Sequence, residues 1–401
     1  MKTIVLVCDD VNDHGNGTSN SARQFAEELQ RRGFEVRLVG IGAPEFSVRE
    51  QRIPLVSFLA HKQRMRLAHA DKAVLARALD GADLVHVYLP FSLERLAVRM
   101  ARSRHIPVTA GFHLMPQNVL YSAGLVGKIP WLRRLTSNWL YTLFWKQMYR
   151  WVSDIHVPSR MGKTQLVEHG YTNRIHVFSN GVNPRFTEVL APDSAKEKAE
   201  AEVQTEVVQQ QAEPPQQHAL TVRMMKIITS GRLAGEKDYD TFLRALALCK
   251  HRAHISVQMC GTGPKYHHLR ALARTEKLEN FTISYLSSRA LQRALNGADL
   301  FVHPALVELE SLSVLEALAC GVVPVISDSE LSAASQFSLH QRSLFAAGNA
   351  KQLAQQIDWW YEHPNERAEY SARYAQLARE KYSLHASVDA FLAMAKQATR
   401  M

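Results

Sequence analysis

The sequence predicts an α/β protein with two doubly wound domains, each built on a parallel sheet. Short apolar runs alternate with amphipathic runs in two successive blocks of the chain, which is typical of parallel strands covered by helices. A polar segment rich in Gln, Glu, Ala and Pro separates the two blocks. The 401 residues, of which 46% are hydrophobic and 21% charged, are enough for two domains of about 200 residues each.

The polar segment defines the predicted domain boundaries. Little in residues 191–218 can be buried in a core, so we predict that this segment is exposed. The predicted order is a first domain over residues 1–184, a linker or insertion over 185–222, a second domain over 223–375 and a C-terminal helix over 376–401.

The bulk charge predicts anionic partners, because the net charge is +10 and the isoelectric point is about 9.4. Nucleic acid, a membrane surface and phosphorylated substrates are all anionic and are therefore candidate partners. The four cysteines form no C-x-x-C pair, which indicates reduced core residues of a cytoplasmic protein. The N-terminal apolar run is too short for a signal peptide, and no run approaches the ~18–20 residues that span a bilayer.

The first block opens with a βαβ pattern. Residues 4–8 predict a buried strand, residues 19–32 a helix and residues 36–39 the next strand. The loop after the first strand contains Gly17 but lacks a full G-x-G-x-x-G, so it is weak evidence for a dinucleotide site. A further helix is predicted over residues 58–79.

Residues 117–157 hold four of the six tryptophans together with an excess of basic residues. Tryptophan and tyrosine favour the membrane interface and basic side chains attract anionic lipid, so the segment predicts a membrane-binding surface. An aromatic-rich core helix explains the pattern equally well, whereas no motif for nucleic-acid recognition is present. The candidate membrane or acceptor residues are Trp131, Arg133, Arg134, Trp139, Trp145, Lys146 and Arg150, with Leu135 and Leu143 on the stripe of Trp131 and Trp139.

The most informative stretch of the second block is HPALVELESLSVLEALACGVVPV, residues 303–325. It predicts a strand, a loop, a helix over residues 313–320 ended by Gly321, and a second strand. Glu308 lies in the loop and Glu316 about one turn into the helix, so both carboxylates can accept hydrogen bonds from one ligand at the helix N-terminus. Taken singly, each glutamate is better explained as a capping or solvated acid.

Two further loops of the second block follow predicted strands. Arg232 and Lys237 lie in the first of them, and fixed cations are what an anionic leaving group needs. Residues 260–264, CGTGP, form the second. Asp238 and Asp240 make a D-x-D pattern, but their position at a predicted helix start indicates caps, so no metal site is predicted.

Together these motifs resemble the nucleotide-sugar site of the retaining glycosyltransferases of family 4, whose GT-B fold has two Rossmann-like domains facing each other across a cleft. The motifs are HPA-x2-E-x7-E-A-x-A-x-G-x-x-P-V, GR-x4-K after a strand, and the GTGP turn. The resemblance implies that Arg232 and Lys237 bind the diphosphate. It also implies that Glu308 and His113 contact the donor sugar, and that Glu316 binds the ribose. The implied catalytic residues are His113, Arg232, Lys237 and Glu308, and the implied donor-binding residues are Gly17, Arg232, Lys237, Gly261, Gly263, Tyr285, Leu286, Glu308, Leu312, Ser313 and Glu316.

The same resemblance implies transfer of a hexosyl group from a nucleoside diphosphate sugar to an acceptor hydroxyl, with retention and without cofactor or metal. Similarity to diacylglycerol glucosyltransferase-type members points to UDP-glucose and to a lipid acceptor such as diacylglycerol. We therefore expect a cytoplasmic protein bound peripherally at the inner face of the cell membrane, with its C-terminal helix packed on the first domain. The alternatives are polysaccharide or polyprenyl-linked glycan synthesis, a nucleotide-sugar epimerase and a non-catalytic nucleotide-sugar sensor.

The chain departs from the family pattern just after Glu308. Leu309, Glu310 and Ser311 stand where family members often carry a glycine. The loop is therefore expected to hold the donor somewhat differently. The donor's sugar and base, the acceptor and the oligomeric state stay open at this point.

Overall fold

The computed structural model describes residues 1–13, 16–52, 66–118, 130–188 and 224–400, with the side chains of 130–134 outside that description. Most of the predicted linker over 185–222 lies outside the described residues. The chain forms two compact units.

The first unit comprises Met1–Gly181, Val307–Leu312 and Tyr382–Met401. In the described part of this unit the sheet has seven parallel strands in the spatial order β3-β2-β1-β4-β5-β6-β7. The strands are β1 (Thr3–Asp10), β2 (Glu35–Ile41), β3 (Phe46–Ser47), β4 (Leu84–Val87), β5 (Val108–Gly111), β6 (Asp154–Val157) and β7 (Arg174–Val177). The strand order reverses between β1 and β4, and ligands of open α/β sheets bind at such a switch point, beyond the carboxyl ends of the strands.

Five helices connect these strands within the described residues. They are α1 (Gly17–Arg31), α2 (Lys72–Ala78), α3 (Ser92–Ser103), α4 (Pro130–Gln147) and α5 (Arg160–Glu168). Residues 4–7 of β1 are fully buried, as expected for a parallel strand with helices on both faces. The side chains of Phe25 and Leu29 bury one face of α1, and Asn16 caps its start by accepting the Thr18 backbone N–H.

The predicted helix over residues 58–79 is confirmed only for its last part among the residues that the structure describes. Residues 66–71 are not helical, and α2 begins only at Lys72. The Asp71 side chain caps this start by accepting hydrogen bonds from two backbone N–H groups of the first turn.

Two carboxylates at the end of β1 hold the segment before α2. The Arg66 guanidinium pairs with the Asp10 carboxylate at 2.7 Å, and the Ala68 backbone N–H donates to the Asp9 carboxylate at 2.6 Å. These contacts add hydrogen bonds and an ion pair to two buried acids, so they outweigh the local helical propensity of the segment.

The second unit comprises Val182–Leu306 and Ser313–Lys381. Its described sheet has six parallel strands in the order β10-β9-β8-β11-β13-β15, with the order reversing between β8 and β11. The strands are β8 (Met225–Ser230), β9 (Ile255–Cys260), β10 (Phe281–Ser284), β11 (Leu300–His303), β13 (Val323–Asp328) and β15 (Leu344–Ala346).

The remaining elements between residues 239 and 381 are helices and two short strands. The helices are α6 (Tyr239–Leu248), α7 (Tyr266–Thr275), α8 (Ser288–Asn296), α9 (Leu312–Ala319), α10 (Ala350–Glu362) and α11 (Pro364–Lys381), and the strands are β12 (Val307–Glu308) and β14 (Leu331–Ser332). None of the helices in the described ranges has the length and apolar content needed to cross a bilayer.

The last helix, α12 (Leu384–Thr399), belongs to the first unit. The Phe391 ring packs edge-on against the rings of Phe25 and His86, with centroid distances of 5.7 and 5.1 Å. An ion pair of 2.5 Å between Arg32 and Asp389 joins α12 to the end of α1.

The predicted α/β class with two doubly wound sheets is confirmed. The division of the chain differs in detail from the predicted boundaries. It falls after Gly181 and after Lys381, so the predicted boundary at 375 lies inside α11. The segment Val307–Leu312 joins the first unit, although its sequence neighbours on both sides belong to the second.

Candidate active site

The loops that follow β8 and β9 lie side by side at the carboxyl edge of the second sheet. The Gly231 N–H donates to the Cys260 carbonyl at 3.0 Å, and the Leu233 N–H donates to the Thr262 carbonyl at 2.9 Å. The structure therefore brings the predicted cationic loop and the predicted CGTGP turn together into one surface.

Glycine is required in the second loop because the two backbones approach so closely. A Cβ atom on Gly261 would lie 1.9 Å from the Gly231 carbonyl oxygen, and one on Gly263 would lie 2.5 Å from the Leu233 carbonyl oxygen. No other residue type fits at either position without moving one loop away from the other. The two glycines predicted to lie beside the nucleotide thus hold the two loops together.

Arg232 and Lys237 both lie at the end of β8. Arg232 forms an ion pair with Glu236, whose side chain is almost fully buried. The Cε atom of Lys237 lies 3.9 Å from the position of a Cβ on Gly231. Both cations therefore lie close to the loop backbone, and their role in binding a phosphate group stays a prediction.

Sequence reasoning missed the role of Glu236. Its carboxylate fixes the guanidinium of Arg232, and its backbone carbonyl accepts the Leu306 N–H at 2.8 Å, which ties the cationic loop to the end of the β11 loop. An acid four residues after an arginine is a common helix-surface pattern, so the sequence carries little signal for this contact.

Tyr285 and Leu286, two of the predicted donor-binding residues, follow β10. The Gly261 N–H donates to the Ser284 carbonyl at 2.8 Å, so the end of β10 lies beside the glycine loop. Tyr285 is exposed and Leu286 is half-buried at this edge. Three neighbouring strand ends therefore carry residues of the predicted donor site.

The helix α9 begins at Leu312, next to Ser313, close to the predicted start. Glu316 lies one turn in, and burial raises the pKa of its carboxyl group to about 8, an effect that the charge of Arg185 partly offsets. A carboxyl group with this pKa is present in both its protonated and its ionised form near neutral pH. Either form can hydrogen-bond to a ribose hydroxyl.

The D-x-D pattern lies at the start of α6, as predicted, with Asp238 at the N-cap position and Asp240 in the first turn. Asp238 has a φ of 46°, and its side chain accepts the Thr241 hydroxyl at 2.7 Å. Asp240 pairs with Lys265 at 2.7 Å and with His268. Both acids are thus engaged by neighbouring side chains of the second unit.

In the first unit, the segment that carries Glu308 is held by its neighbours. Glu310 is 3% exposed and accepts hydrogen bonds from Asn180. Ser311 has a φ of 82°, a region that favours glycine, so the departure from the family pattern keeps a glycine-like backbone at this position. Gly17 lies at the start of α1, with the Leu312 Cδ1 atom 3.8 Å from the position of its missing Cβ.

His113 follows β5 and stacks on Tyr88 with a centroid distance of 5.1 Å. Its Nε2 atom is buried and has no hydrogen-bond partner among the described residues. Burial and the neighbouring His156 and His86 hold its pKa well below the usual value, so the ring is neutral. A neutral imidazole with a vacant nitrogen can donate to or accept from a sugar hydroxyl.

Two family models match the chain. A model described as Glycosyltransferase Family 4 matches residues 15–186, and a model described as Glycosyl transferases group 1 matches residues 210–379. The chain is a glycosyltransferase with a family 4 domain and a group 1 domain. The group 1 match covers the part of this glycosyltransferase that contains Arg232, Lys237 and Glu316.

Three similar proteins show how far the likeness extends. The alpha-monoglucosyldiacylglycerol synthase of Streptococcus pneumoniae is 23% identical over 323 residues, covering 78% of this glycosyltransferase and 68% of that protein. The catalytic domain of cholesterol-alpha-glucosyltransferase from Helicobacter pylori is 36% identical, covering 38% of this chain and 97% of that chain, with a TM-score of 0.36. HepE from Anabaena in complex with UDP-glucose covers 100% of both chains at 14% identity with a TM-score of 0.70, which shows the fold alone.

The aromatic and basic segment of the glycosyltransferase has one core face and one exposed face. Tyr141, Phe144 and Met148 are buried, whereas the side chains of Leu135 and Trp139 are both 60% exposed. The core interpretation is therefore confirmed for one face of α4, whereas the membrane interpretation stays a prediction that rests on the exposed side chains of Leu135 and Trp139.

Further members of the predicted membrane surface lie near the end of α4. Lys146 is exposed and Trp145 is half-buried. The guanidinium groups of Arg150 and Arg102 lie over the Trp151 ring, at 4.1 and 4.6 Å from its centroid. The side chains of Trp131, Arg133 and Arg134 lie outside the described residues.

Three histidines form the candidate metal-ligand set in the part of the chain that the structure describes. The ligand nitrogens of His86, His113 and His156 lie within 4.8 Å of one another. Burial lowers the pKa of His86 to about 3 and that of His156 to about 4, so both rings are neutral. Neutral rings suit metal ligation, but they are equally what burial next to other histidines produces.

Sequence reasoning selected only His113 of these three. The other two lie on β4 and β6, and each uses one ring nitrogen in a local contact. His86 contacts the Thr109 hydroxyl at 2.9 Å, and His156 contacts the Phe178 carbonyl at 2.7 Å. Strand pairing brings the three rings together, and the spacing of the residues in the sequence gives no indication of it.

Proposed function

We propose that this glycosyltransferase moves a glucosyl group from UDP-glucose, with retention, to a hydroxyl of a membrane lipid such as diacylglycerol. The proposed donor rests on one observation: the loop with Arg232 and Lys237 is hydrogen-bonded to the loop with Gly261 and Gly263. The Streptococcus pneumoniae relative, an alpha-monoglucosyldiacylglycerol synthase by name, supports the choice of a glucosyl donor and of a diacylglycerol acceptor.

The proposed chemistry is the departure of a diphosphate. The bond between the anomeric carbon and the diphosphate oxygen breaks, and negative charge develops on the phosphate oxygens. Arg232 and Lys237 stabilise this charge in the transition state, and Glu236 keeps the guanidinium of Arg232 in place. The backbone N–H groups at the start of α9 offer further hydrogen bonds to an anion.

The other proposed contacts orient the donor. Glu308 accepts hydrogen bonds from hydroxyls of the sugar, His113 contacts the same sugar, and Glu316 binds the ribose. The acceptor oxygen bonds to the anomeric carbon on the face from which the diphosphate leaves. Its proton passes to the diphosphate, so the reaction balances without a separate base.

A donor panel with and without acceptor tests the proposal. Diphosphate release from UDP-glucose and other nucleoside diphosphate sugars is measured alone, with diacylglycerol vesicles and with soluble sugars. We expect release to be fastest with UDP-glucose and diacylglycerol, with one glucosyl lipid formed per diphosphate. Faster transfer to a soluble sugar or to a polyprenyl-linked glycan would show that the acceptor is not diacylglycerol. Conversion of the donor sugar without transfer would indicate an epimerase.

The exposed face of α4 is proposed to contact the membrane. Replacing Leu135 and Trp139 together by serine should lower co-sedimentation with phosphatidylglycerol vesicles, because it removes apolar surface that inserts at the interface. The control is Leu248→Ser, which removes a side chain of similar exposure, 58%, from the second unit. If the wild-type protein ignores these vesicles at low salt, the membrane assignment is wrong.

The basic residues beside this face should make the binding depend on salt. Replacing Lys146 and Arg150 by glutamine is expected to weaken vesicle binding by about 1 kcal/mol per charge removed, and less as salt is added. Release of diphosphate from UDP-glucose in the absence of vesicles should stay close to that of wild type. The measurement is co-sedimentation over a series of salt concentrations.

Activity is proposed to be independent of metal. The cationic loop supplies the charge that a divalent ion would otherwise provide, so treatment with EDTA should leave glucosyl transfer within about twofold of the untreated rate. Full loss of activity on chelation, restored by zinc or manganese, would contradict this proposal. In that case the His86, His113 and His156 set is the first place to look for the ion.

A further inference from the structure

The segment that carries Glu308 is anchored within the first unit by side chains that follow it. Leu309 and Glu310 are both buried. A Cβ on Gly162 would lie 2.9 Å from the Leu309 Cδ1 atom, so the Leu309 side chain packs closely against the start of α5. Leu309 therefore occupies a fitted position, and Glu310 is the polar member of the same anchor.

The Glu310 carboxylate is satisfied by the turn that follows β7. Its Oε1 atom accepts the Asn180 backbone N–H at 3.1 Å, and its Oε2 atom accepts the Asn180 side-chain N–H at 2.6 Å. The Ser179 hydroxyl donates to the same carboxylate. A buried carboxyl group with several donors of one turn is held in one position, since leaving it unpaired would be costly.

The same turn connects the anchor to α1. The Ser21 hydroxyl, one turn into α1, donates to the Asn180 side-chain oxygen at 3.2 Å. Asn180 therefore uses its amide N–H groups on Glu310 and its oxygen on α1. The segment with Glu308 is in this way linked to the helix that begins at Gly17.

Glu308 and Glu310 are also coupled electrostatically. Burial raises the pKa of Glu310 to about 7, the hydrogen bonds from Ser179 and Asn180 counteract this, and the nearby charge of Glu308 adds to it. Ser311 then takes a φ of 82°, a conformation that costs free energy for a residue with a side chain. A strained residue directly after Glu310 persists only where its neighbours fix the backbone.

We propose that Glu310 is a positioning residue for the donor: by anchoring its segment to the Ser179–Asn180 turn, it sets the position of Glu308 against the donor sugar. The proposal rests on the proposed function, in which Glu308 contacts that sugar. Where the family pattern often has glycine and a flexible backbone, this chain uses a buried acid and a fixed turn. Glu310 itself touches no substrate in this scheme and acts through Glu308.

The test compares Glu310→Leu, Glu310→Gln and Glu308→Gln, singly and combined, with UDP-glucose as donor. Glu310→Leu removes every acceptor for the Asn180 donors, so kcat/KM for glucosyl transfer should fall ~10-fold or more through misplacement of Glu308. Glu310→Gln keeps one oxygen for the Asn180 N–H and should recover part of that loss. Affinity for UDP, which lacks the sugar, should stay within about twofold of wild type because the phosphate-binding loops are unchanged.

The combined variant separates positioning from a general structural role. In the Glu308→Gln background, adding Glu310→Leu should cost little further activity, because the residue through which Glu310 acts has already been removed. Additive losses, or a Glu310→Leu enzyme with the wild-type kcat/KM, would overturn the proposal. The matched control is Glu330→Gln, which removes an exposed acid in the second unit. This variant should change neither kcat/KM for glucosyl transfer nor the affinity for UDP.

Two further outcomes are distinguishable. Loss of UDP affinity together with a lower melting temperature in Glu310→Leu would show a structural role only and would also overturn the proposal. Failure of the wild-type protein to transfer from UDP-glucose or any other nucleoside diphosphate sugar would instead reject the proposed function, which is decided before any variant is compared.

Discussion

Replacing Arg232 or Lys237 by alanine is expected to lower kcat for glucosyl transfer by ~10²-fold or more, the scale for loss of one preorganised charge stabiliser. In the proposed mechanism, each change removes a cation that stabilises the phosphate oxygens as their negative charge develops. The measurement is steady-state turnover at saturating UDP-glucose, with KM determined in parallel. Because the stabilisation is realised mainly in the transition state, kcat should fall more than KM rises.

The structure supplies the controls for this experiment. Arg274 and Lys351 are exposed residues of the second unit that lie on α7 and α10, and their alanine variants remove the same charges elsewhere. Arg232→Ala also leaves the buried carboxylate of Glu236 without its partner, so the melting temperature is measured alongside the rate. Near wild-type rates in both Arg232→Ala and Lys237→Ala would reject the diphosphate assignment.

Gly261→Ala is expected to abolish most donor binding, although it adds only one methyl group. The new Cβ would lie 1.9 Å from the Gly231 carbonyl oxygen, so the two loops must separate. Separation breaks the Gly231 to Cys260 hydrogen bond and displaces the neighbouring Arg232. We expect a loss of ~10²-fold in kcat/KM, the scale for a displacement of about 1 Å, with a destabilisation of about 1–3 kcal/mol.

The matched control is Gly297→Ala, because a Cβ there meets nothing nearer than 3.7 Å and the backbone has a φ of −97°. This variant should keep wild-type activity and stability. The comparison is made by UDP affinity, turnover and thermal unfolding. A Gly261→Ala protein that binds UDP as tightly as Gly297→Ala does would show that the close approach of the two loops is not needed for the donor site.

The fold class could be predicted from local sequence patterns, and the same patterns supplied the candidate residues of the donor site. Continuous apolar runs such as residues 4–7 predict buried parallel strands, because such strands are covered on both faces. Arg232 and Lys237 lie within one loop, so their proximity follows from the chain itself. Glu308 and Glu316 are also close together in the sequence. The family resemblance could be recognised because its motifs are made of such neighbouring residues.

Contacts between segments that are distant in the sequence could not be predicted and are known only from the structure. Glu310 and Asn180 are 130 residues apart in the sequence, and His86, His113 and His156 come from neighbouring strands and their ends. Residues 66–71 have helical propensity, yet they pair with Asp9 and Asp10 instead. A local sequence pattern reflects the stability of one helix or strand in isolation. The partners of buried acids and imidazoles depend instead on which strands lie next to each other in the sheet. No local pattern specifies that strand order.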